Sequence, residues 1–482
     1  MIAAGIRQRK TWYYDIPMDN NDSLTITRLA IRIRNRKISP VEITQFCLDR
    51  IRALQPKINA FITVTSKTAL KQAAQAEKEI MRGGYKGPLH GIPVSLKDLF
   101  DTAGIRTTAG SNLRRRYIPK KNAALVHLLL EQGCILLGKT NMHEFAYGPT
   151  NRNPHYGDVL NPWNTQRISG GSSGGSAAAV VTGQCIASFG TDTGGSIRIP
   201  SAACGCVGFK PTYGSVSMEG VFPLSYSLDH AGPICRSVRD AALLFEAVKK
   251  PDNSGISHLR SSLSGIRKGV KGLVMGIPRQ YFFDHLETDV QKAVHAAIRD
   301  FERLGAEIRE VDLKSMKETA GIATDITAAE ALAVHKTMLE RKPEAYGEDV
   351  RQRLLGSNRL SAVALVRRQQ EARKYREMFD DVLKTVDLLL APTLPIEAPR
   401  FDRKTVRIGK WRDGVRTVLL SLTRPANITG LPAISIPCGF STEGLPIGLQ
   451  VIGRRFDEAT LLRAAFAYEQ ATPWHGRFPA VA

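Results

Sequence analysis

The sequence predicts an α/β fold, in which a single large domain is built on a mixed, mostly parallel central β-sheet with helices on both faces. Short apolar segments typical of buried strands alternate with segments of helical periodicity. These strand-like segments lie at 92–97, 134–137 and 186–190, and two more follow late in the chain, at 388–390 and 433–436. The 482 residues are 43% hydrophobic, which suffices for a large core. The late return to strands favours one compact domain with a helical insertion.

Helix signals are specific at several points between the strand-like segments. Ser39 is a good N-cap, Pro40 suits the first turn, and Glu42 completes a capping box. Apolar residues then recur at roughly helical spacing. The chain from about 240 to 390 is more polar and is predicted to be more helical than the rest. Further helices are predicted at 66–82, 122–132, 330–340 and 361–386.

The formal net charge of +22 bears on the partners of the protein, because such a surface attracts polyanions and acidic membranes. Aromatic residues are not interleaved with the basic clusters, as a platform for single-stranded nucleic acid requires. Solvated helix faces are therefore the favoured interpretation, and a basic nucleic-acid-binding protein is kept as an alternative of another class. The clusters are Arg32, Arg34, Arg36 and Lys37; residues 114–116; and Arg367, Arg368, Arg373 and Lys374.

The seven cysteines are an odd number spread along the chain, and several lie in apolar runs. This usage predicts buried free thiols in a reducing compartment rather than a disulfide framework. Cys204 and Cys206 lie too close together for a standard zinc pair, so no metal is expected there. No segment reaches the ~18 apolar residues that span a bilayer, and the first 22 residues lack the apolar stretch of a secretory signal. We therefore expect a cytoplasmic protein, with organellar targeting as a weaker alternative.

Two familiar motifs occur without the context that their mechanisms need. Residues 133–140 match the phosphate-loop pattern G-x-x-x-x-G-K-[ST], but the four middle residues, Cys-Ile-Leu-Leu, are typical of a buried strand. Residues 171–175 contain the nucleophile-elbow pattern G-x-S-x-G, centred on Ser173. That elbow needs a strand that runs directly into the serine, whereas the polar residues 164–167 precede it. Neither nucleotide binding nor a Ser-His-Asp triad is the favoured interpretation.

A third combination joins a lysine to two glycine-serine segments. Lys97 is embedded in an apolar strand, where an ammonium group is costly unless it is paired or neutral. The segments 170–176 and 190–200 are each rich in glycine and hydroxyl side chains. Such stretches are usually flexible linkers, but each of these leads directly into small or apolar residues. The combination therefore indicates a built site.

These segments resemble the amidase signature family, and the resemblance runs from about Leu24 to Thr472. It implies that Ser196 is the nucleophile, that Ser172 is a bridging serine after a cis peptide bond, and that Lys97 is the base. The chemistry is consistent, because a serine needs an adjacent base, and burial lowers the pKa of a lysine until it can serve as one. The other matching segments are 91–98, 138–141, 153–157, 161–163, 208–212, 430–433 and 446–450.

The resemblance also implies roles for residues around the three catalytic positions. Thr193, Gly194 and Gly195, with the N–H of Ser196, are expected to form the oxyanion hole, because glycines let backbone N–H groups approach the substrate. Ala146 is expected to line the acyl side of the pocket. No metal or organic cofactor is expected, since side chains supply both nucleophile and base. Structural roles near the site are expected for Ser173, Asp192 and Arg198.

The implied function is hydrolysis of a small carboxylic amide, or of a related ester or carbamate. The alternative within the family is the glutaminase (A) subunit of a glutamyl-tRNA amidotransferase. Transferase subunits carry an aspartate about seven residues before a Pro-Ala-Asn segment, and here residues 417–424, which precede Pro425, contain no acid. A homodimer is an open expectation. The predicted domains are an N-terminal extension at 1–23 and an amidase signature domain at 24–482, with a variable helical pocket region at about 280–420.

Overall fold

The computed structural model describes residues 24–250, 261–357 and 360–481, so the predicted N-terminal extension lies outside the described residues. Within them, helices α1 to α15 are Ile26–Arg34, Pro40–Ile58, Ser66–Met81, Ala124–Glu131, Gly174–Val181, Arg198–Cys204, Val238–Val248, Arg279–Phe282, Thr288–Arg303, Thr319–Arg341, Glu348–Gly356, Ala362–Thr385, Val415–Ser421, Arg424–Ile428 and Glu458–Ala471. Strands β1 to β15 are Phe61–Val64, Pro93–Lys97, Ile135–Thr140, Leu160–Asn161, Asn164–Ile168, Ala187–Asp192, Val207–Lys210, His230–Cys235, Val274–Pro278, Glu307–Val311, Leu388–Pro392, Thr405–Ile408, Trp411–Gly414, Ala433–Phe440 and Pro446–Gly453.

A mixed central sheet organises the described residues, with the strand order β1-β3-β2-β6-β8-β7-β14-β15-β11-β9-β10. Parallel pairing holds the two flanks, where β3, β2 and β6 form one group and β11, β9 and β10 form another. The middle of the sheet, from β6 through β14 and β15 to β11, pairs antiparallel, as does β1 with β3. The strands of the middle are buried almost throughout, as in a sheet that helices cover on both faces. The predicted fold class, a single large α/β domain with a mixed sheet, is confirmed, and its parallel part lies in the flanks.

Local sequence signals explain several of the elements. The N–H of Ser39 donates to the Glu42 carboxylate at 2.8 Å, and the Ser39 hydroxyl accepts from the N–H of Val41 at 2.9 Å, so the predicted capping box begins α2. Ser361 caps α12, whose bounds agree with the predicted helix at 361–386.

The prediction of a mainly helical segment between 240 and 390 needs one correction. That segment also contains β9 and β10, which extend the main sheet in parallel next to β11. Strand β10 was not predicted, because it is an edge strand with three charged residues, two of them glutamates. Charged side chains on an edge strand are a common protection against pairing with another chain. The local composition of β10 therefore does not indicate a strand, although the segment pairs with β9.

The segment that matches the phosphate-loop pattern is a buried strand, as its apolar middle residues predicted. Strand β3 is buried along its whole length, and Lys139 donates to the Thr107 hydroxyl at 2.8 Å and to the Phe100 carbonyl rather than facing a cavity. Gly138 has a φ of +151°, and a Cβ there would lie 2.1 Å from the Thr63 carbonyl oxygen of β1. The close approach of two strands therefore explains this glycine.

The interior is a continuous apolar core that spans the sheet, with a smaller cluster beneath the β12–β13 hairpin. All seven cysteines are buried free thiols, as the sequence predicted. Among the helices that the structure describes, none combines the length and the apolar character that a membrane span requires.

Candidate active site

Lys97 is the last residue of β2, and its side chain is completely buried. Its Nζ lies 2.7 Å from the Ser172 Oγ and 2.8 Å from the Thr191 Oγ1, so two hydroxyl groups hold the amine in place. Burial lowers the pKa of Lys97 to about 7 from an ordinary value of 10.5, although the carboxylates of Asp229 and Asp192 oppose the shift. Much of the amine is therefore neutral near pH 7, and a neutral amine can accept a proton.

Ser172 lies in the loop between β5 and α5, directly after a cis peptide bond from Gly171. The loop is tightly packed, since a Cβ on Gly171 would lie 2.6 Å from the backbone nitrogen of Asn151. Ser172 is fully buried, and its carbonyl accepts a hydrogen bond from the N–H of His143 at 3.2 Å. This packing leaves the Ser172 hydroxyl beside Lys97.

Ser173, the centre of the nucleophile-elbow pattern, is also fully buried. Its hydroxyl donates to the Thr191 carbonyl at 3.3 Å, and its N–H donates to the Ser196 carbonyl at 3.3 Å. Strand β5 ends at Ile168, five residues earlier, so no strand runs directly into this serine. Among the described residues, no histidine is hydrogen-bonded to its hydroxyl. The contacts of Ser173 are those of a residue that joins the two serine loops.

Ser196 lies between β6 and α6, in a loop that the buried carboxylate of Asp192 organises. This carboxylate accepts hydrogen bonds from the N–H groups of Gly195 at 2.8 Å and Ile197 at 3.1 Å, and it pairs with Arg198 at 2.9 Å. Burial raises the pKa of Asp192, but the charge and hydrogen bonds of Arg198 outweigh burial and hold the pKa below its ordinary range. Asp192 therefore stays ionised and fixes the loop that carries Ser196.

The loop that is predicted to form the oxyanion hole also makes hydrogen bonds within the protein. The N–H of Gly195 donates to the buried Asp192 carboxylate at 2.8 Å, and the role of Gly195 as an oxyanion donor remains a prediction. Gly195 is required for the shape of the loop, since its φ is +131° and a Cβ there would lie 2.2 Å from the Thr423 hydroxyl. Thr193 and Gly194 line the same pocket as Ser196, and their roles as oxyanion donors remain a prediction.

Asp229 is a buried carboxylate that the sequence patterns did not single out. It accepts hydrogen bonds from the Thr193 hydroxyl at 2.5 Å and from the N–H of Leu224 at 2.8 Å. Burial raises the pKa of Asp229 to about 6, although the hydrogen bond from Thr193 opposes the shift. In the sequence it is a lone acid in the segment 229–233, and only the fold places it behind the serine loops.

A pocket opens onto Ser196 and brings several predicted residues together. Ala146, which follows the Glu144–Phe145 turn, lines this pocket, and its role in substrate binding remains a prediction. Arg416 and Arg424, which the sequence did not indicate, line the pocket as well. No acidic side chain from the described residues lines this pocket. The loops that carry Ser172 and Ser196 are hydrogen-bonded to each other. Within the described residues, the hydroxyls of these two serines are not hydrogen-bonded directly to each other. The full set of lining residues is Ala146, Tyr147, Gly148, Pro149, Thr193, Gly194, Ser196, Leu224, Ala323, Thr327, Arg416, Leu420 and Arg424.

A family model described as Amidase matches residues 42–462, which include Lys97 and both serine loops. The chain belongs to the amidase signature family. This member is 41% identical over 480 residues to the A subunit of a glutamyl-tRNA(Gln) amidotransferase from Trichlorobacter lovleyi, with 94% of this chain and 98% of the relative covered. It is 40% identical over 475 residues to an amidase from Pseudomonas putida, with 96% and 99% covered. The crystal structure of another amidase, 36% identical, superposes with a TM-score of 0.85 over 92% of this chain and 99% of that one.

The relatives of this amidase signature member thus include both kinds of protein that the sequence left open. Several more relatives at 40–41% identity are likewise named as the A subunit of a glutamyl-tRNA(Gln) amidotransferase. The names of these relatives therefore favour the transferase alternative over the free amidase. They do not test the assignment of individual residues, so Lys97, Ser172 and Ser196 keep the roles that the resemblance implied as predictions.

Proposed function

We propose that this chain cleaves a carboxylic amide bond through an acyl-enzyme on Ser196. The observation that supports this most directly is the 2.7 Å contact between the buried Lys97 amine and the Ser172 hydroxyl, next to the loop that carries Ser196. A lysine pKa near 7 suits a general base at neutral pH. The finer assignment to small linear amides is part of this proposal.

In the first half of the reaction, the Ser196 oxygen forms a bond to the amide carbon as its proton passes to Ser172, and Ser172 passes its own proton to neutral Lys97. The carbon–nitrogen bond then breaks, and the proton returns through the same two side chains to the leaving amine. Free N–H groups of the Thr193–Ser196 loop would stabilise the negative oxygen, a contribution that typically amounts to ~10²–10³ in rate for each donor. Water attacks the acyl-enzyme in the second half and releases the acid.

Labelling with a fluorophosphonate tests the nucleophile. The wild-type protein should be labelled on Ser196, S196A should not be labelled, and S173A should still react. If S196A is labelled and S173A is not, the nucleophile-elbow interpretation replaces this one. Ammonia release from a panel of neutral aryl and alkyl amides then measures turnover, and S196A should lower it to the background rate.

A second candidate is the glutaminase component of a glutamyl-tRNA amidotransferase, which the names of relatives at 40–41% identity support. Both candidates use the same first step, and they differ in the amide and in the fate of the ammonia. The pocket argues for the free amidase, because no acidic side chain of the described residues lines it to pair with the amino group of glutamine.

Glutaminase assays separate the two candidates. A transferase component should release ammonia from glutamine, and this release should rise when partner subunits and glutamylated tRNA are added. A free amidase should cleave simple amides at a rate that those additions leave unchanged. Glutamine turnover that depends on the partners would establish the second candidate.

A further inference from the structure

Two arginines line the pocket onto which Ser196 opens, and neither has a carboxylate partner among the described residues. Arg424, in the first turn of α14, is only 6% exposed, and it donates one hydrogen bond, to the Ala320 carbonyl at 3.2 Å. Arg416, in α13, has a buried Nε without any hydrogen-bond partner. Buried polar groups are normally hydrogen-bonded, and buried charges are normally paired. The pocket therefore holds positive charge that nothing in the described chain neutralises by direct contact.

The arginine side chains lie close to the catalytic loops. A Cβ built on Gly194 would lie 3.5 Å from the Arg424 Cγ, so the stem of this arginine packs against the loop that carries Ser196. The Arg416 guanidinium lies 5.7 Å from the ring centroid of Tyr147, which lines the same pocket. Both positive groups are thus part of the wall around the reacting serine.

Without a bound anion, the positive charges of Arg416 and Arg424 make this pocket electrostatically unfavourable. Burial lowers the pKa of Arg416, and the neighbouring charges of Arg424 and Arg353 lower it further. Asp349, the carboxylate whose charge acts on Arg416, is already bound by His143 at 2.9 Å and by Arg353. Arg198 shows the contrast, since its buried guanidinium pairs with Asp192 at 2.9 Å. A bound carboxylate would supply the counter-charge that this pocket lacks.

We infer that the preferred substrate is an amide whose acyl part ends in a carboxylate, such as a half-amide of a dicarboxylic acid, and that Arg416 and Arg424 bind this carboxylate. The inference rests on the proposed function, since it assumes that Ser196 attacks the amide. Guanidinium groups bind carboxylates through paired, charge-assisted hydrogen bonds, which fix orientation as well as charge. A substrate with an additional amino group is disfavoured, because no acidic side chain of the described residues lines the pocket.

Three amides of similar shape test the inference: glutaramate, which carries one carboxylate; glutaramide, which is neutral; and glutamine, which adds an amino group. We expect kcat/KM for ammonia release to be at least 10-fold higher for glutaramate than for either of the others. R416Q and R424Q should each lower kcat/KM for glutaramate by roughly 10- to 100-fold, the range expected for a hydrogen bond to a charged group. The loss of kcat/KM that they cause for glutaramide should be at least threefold smaller than the loss for glutaramate. R416K, which keeps the charge, should recover part of the loss.

R412Q is the matched control, because Arg412 is exposed and belongs to the neighbouring strand β13. It removes one positive charge without touching the pocket, so it should leave the ratio between glutaramate and glutaramide unchanged. A ratio near 1 in the wild type, or equal losses for both substrates in R416Q and R424Q, would overturn the inference. Melting temperatures of the variants show whether a loss common to both substrates comes from misfolding.

A second measurement does not depend on turnover. Glutarate should slow fluorophosphonate labelling of Ser196 at a concentration at least 10-fold lower than glutaramide requires, and R424Q should remove this difference. Equal protection by the two compounds would refute the carboxylate site while the nucleophile assignment stands. A protein that is neither labelled on Ser196 nor active on any amide would instead refute the proposed function.

Discussion

Comparing the wild type with K97M should show how the buried Lys97 amine makes the free energy of unfolding depend on pH. Lys97 is completely buried, and K97M keeps an unbranched side chain of similar length without the charge. The lost contacts to Ser172 and Thr191 change stability by an amount that does not depend on pH above 7. The contribution of lysine protonation to stability does depend on pH, because the lysine holds its proton more weakly in the folded protein than in the unfolded chain.

The size of this effect follows from the pKa. The amine has a pKa of about 7 in the folded protein and an ordinary value of 10.5. At 1.36 kcal/mol per pH unit, this difference corresponds to about 5 kcal/mol. Below pH 7 the amine is protonated in both the folded and the unfolded state, so the full burial penalty lowers the stability. Between pH 7 and 10.5 only the unfolded state holds the proton, so the penalty shrinks as the pH rises and has disappeared above pH 10.5. The stability of the wild type should therefore rise relative to that of K97M by about 2.7 kcal/mol between pH 7.5 and 9.5.

Urea unfolding of both proteins across this pH range measures the difference. The range lies above the pKa of Asp229, about 6, so that carboxylate contributes little. K57M, at an exposed lysine of α2, is the control and should differ from the wild type by a constant amount. A constant difference for K97M as well would refute the argument that burial lowers the pKa of this amine. In the wild type, kcat/KM should rise through an inflection near pH 7, and K97M should lose activity by at least 10²-fold.

Three further substitutions test the loop that carries Ser196. G195A should lower both the melting temperature and kcat, because its Cβ would collide with a threonine hydroxyl at 2.2 Å, whereas G444A, at a φ of +75° that is also positive but with open space around it, should leave kcat unchanged. R198M should cost about 3–5 kcal/mol in urea unfolding by leaving a buried carboxylate unpaired, while R368M, at a half-exposed ion pair, should cost at most about 1 kcal/mol. Equal costs for those two variants would contradict the assigned burial. T193V should cost about 1–3 kcal/mol and lower kcat, because it leaves one oxygen of the buried Asp229 carboxylate without its hydroxyl donor, and T193S should restore both. If T193S is as impaired as T193V, the hydroxyl is not the group that matters.

Local patterns were sufficient where a short segment carries its own physical constraint. The capping box at Ser39, the burial of β3 despite its phosphate-loop letters, and the apolar strand around Lys97 all follow from interactions within a few residues. Of the two strands between 274 and 311, β10 was missed because an edge strand with charged side chains resembles a helix or loop in composition, whereas β9 is a short uncharged inner strand that the sequence patterns did not single out. The same limit applies to the site, where Asp229 and the pocket arginines carry no local signal.

The sequence by itself determined the fold class and, through the resemblance of its motifs, the three candidate catalytic residues. Short segments of the sequence are enough to recognise the glycine-serine loops and the apolar segment around Lys97. Only the tertiary structure decided which groups meet. It placed the Lys97 amine 2.7 Å from Ser172, assigned the N–H of Gly195 to a buried carboxylate, and brought Arg416 and Arg424 to the pocket of Ser196. The pocket in particular joins residues from distant parts of the chain, because hydrogen bonding, burial and charge act on distances in space and not on separation along the sequence.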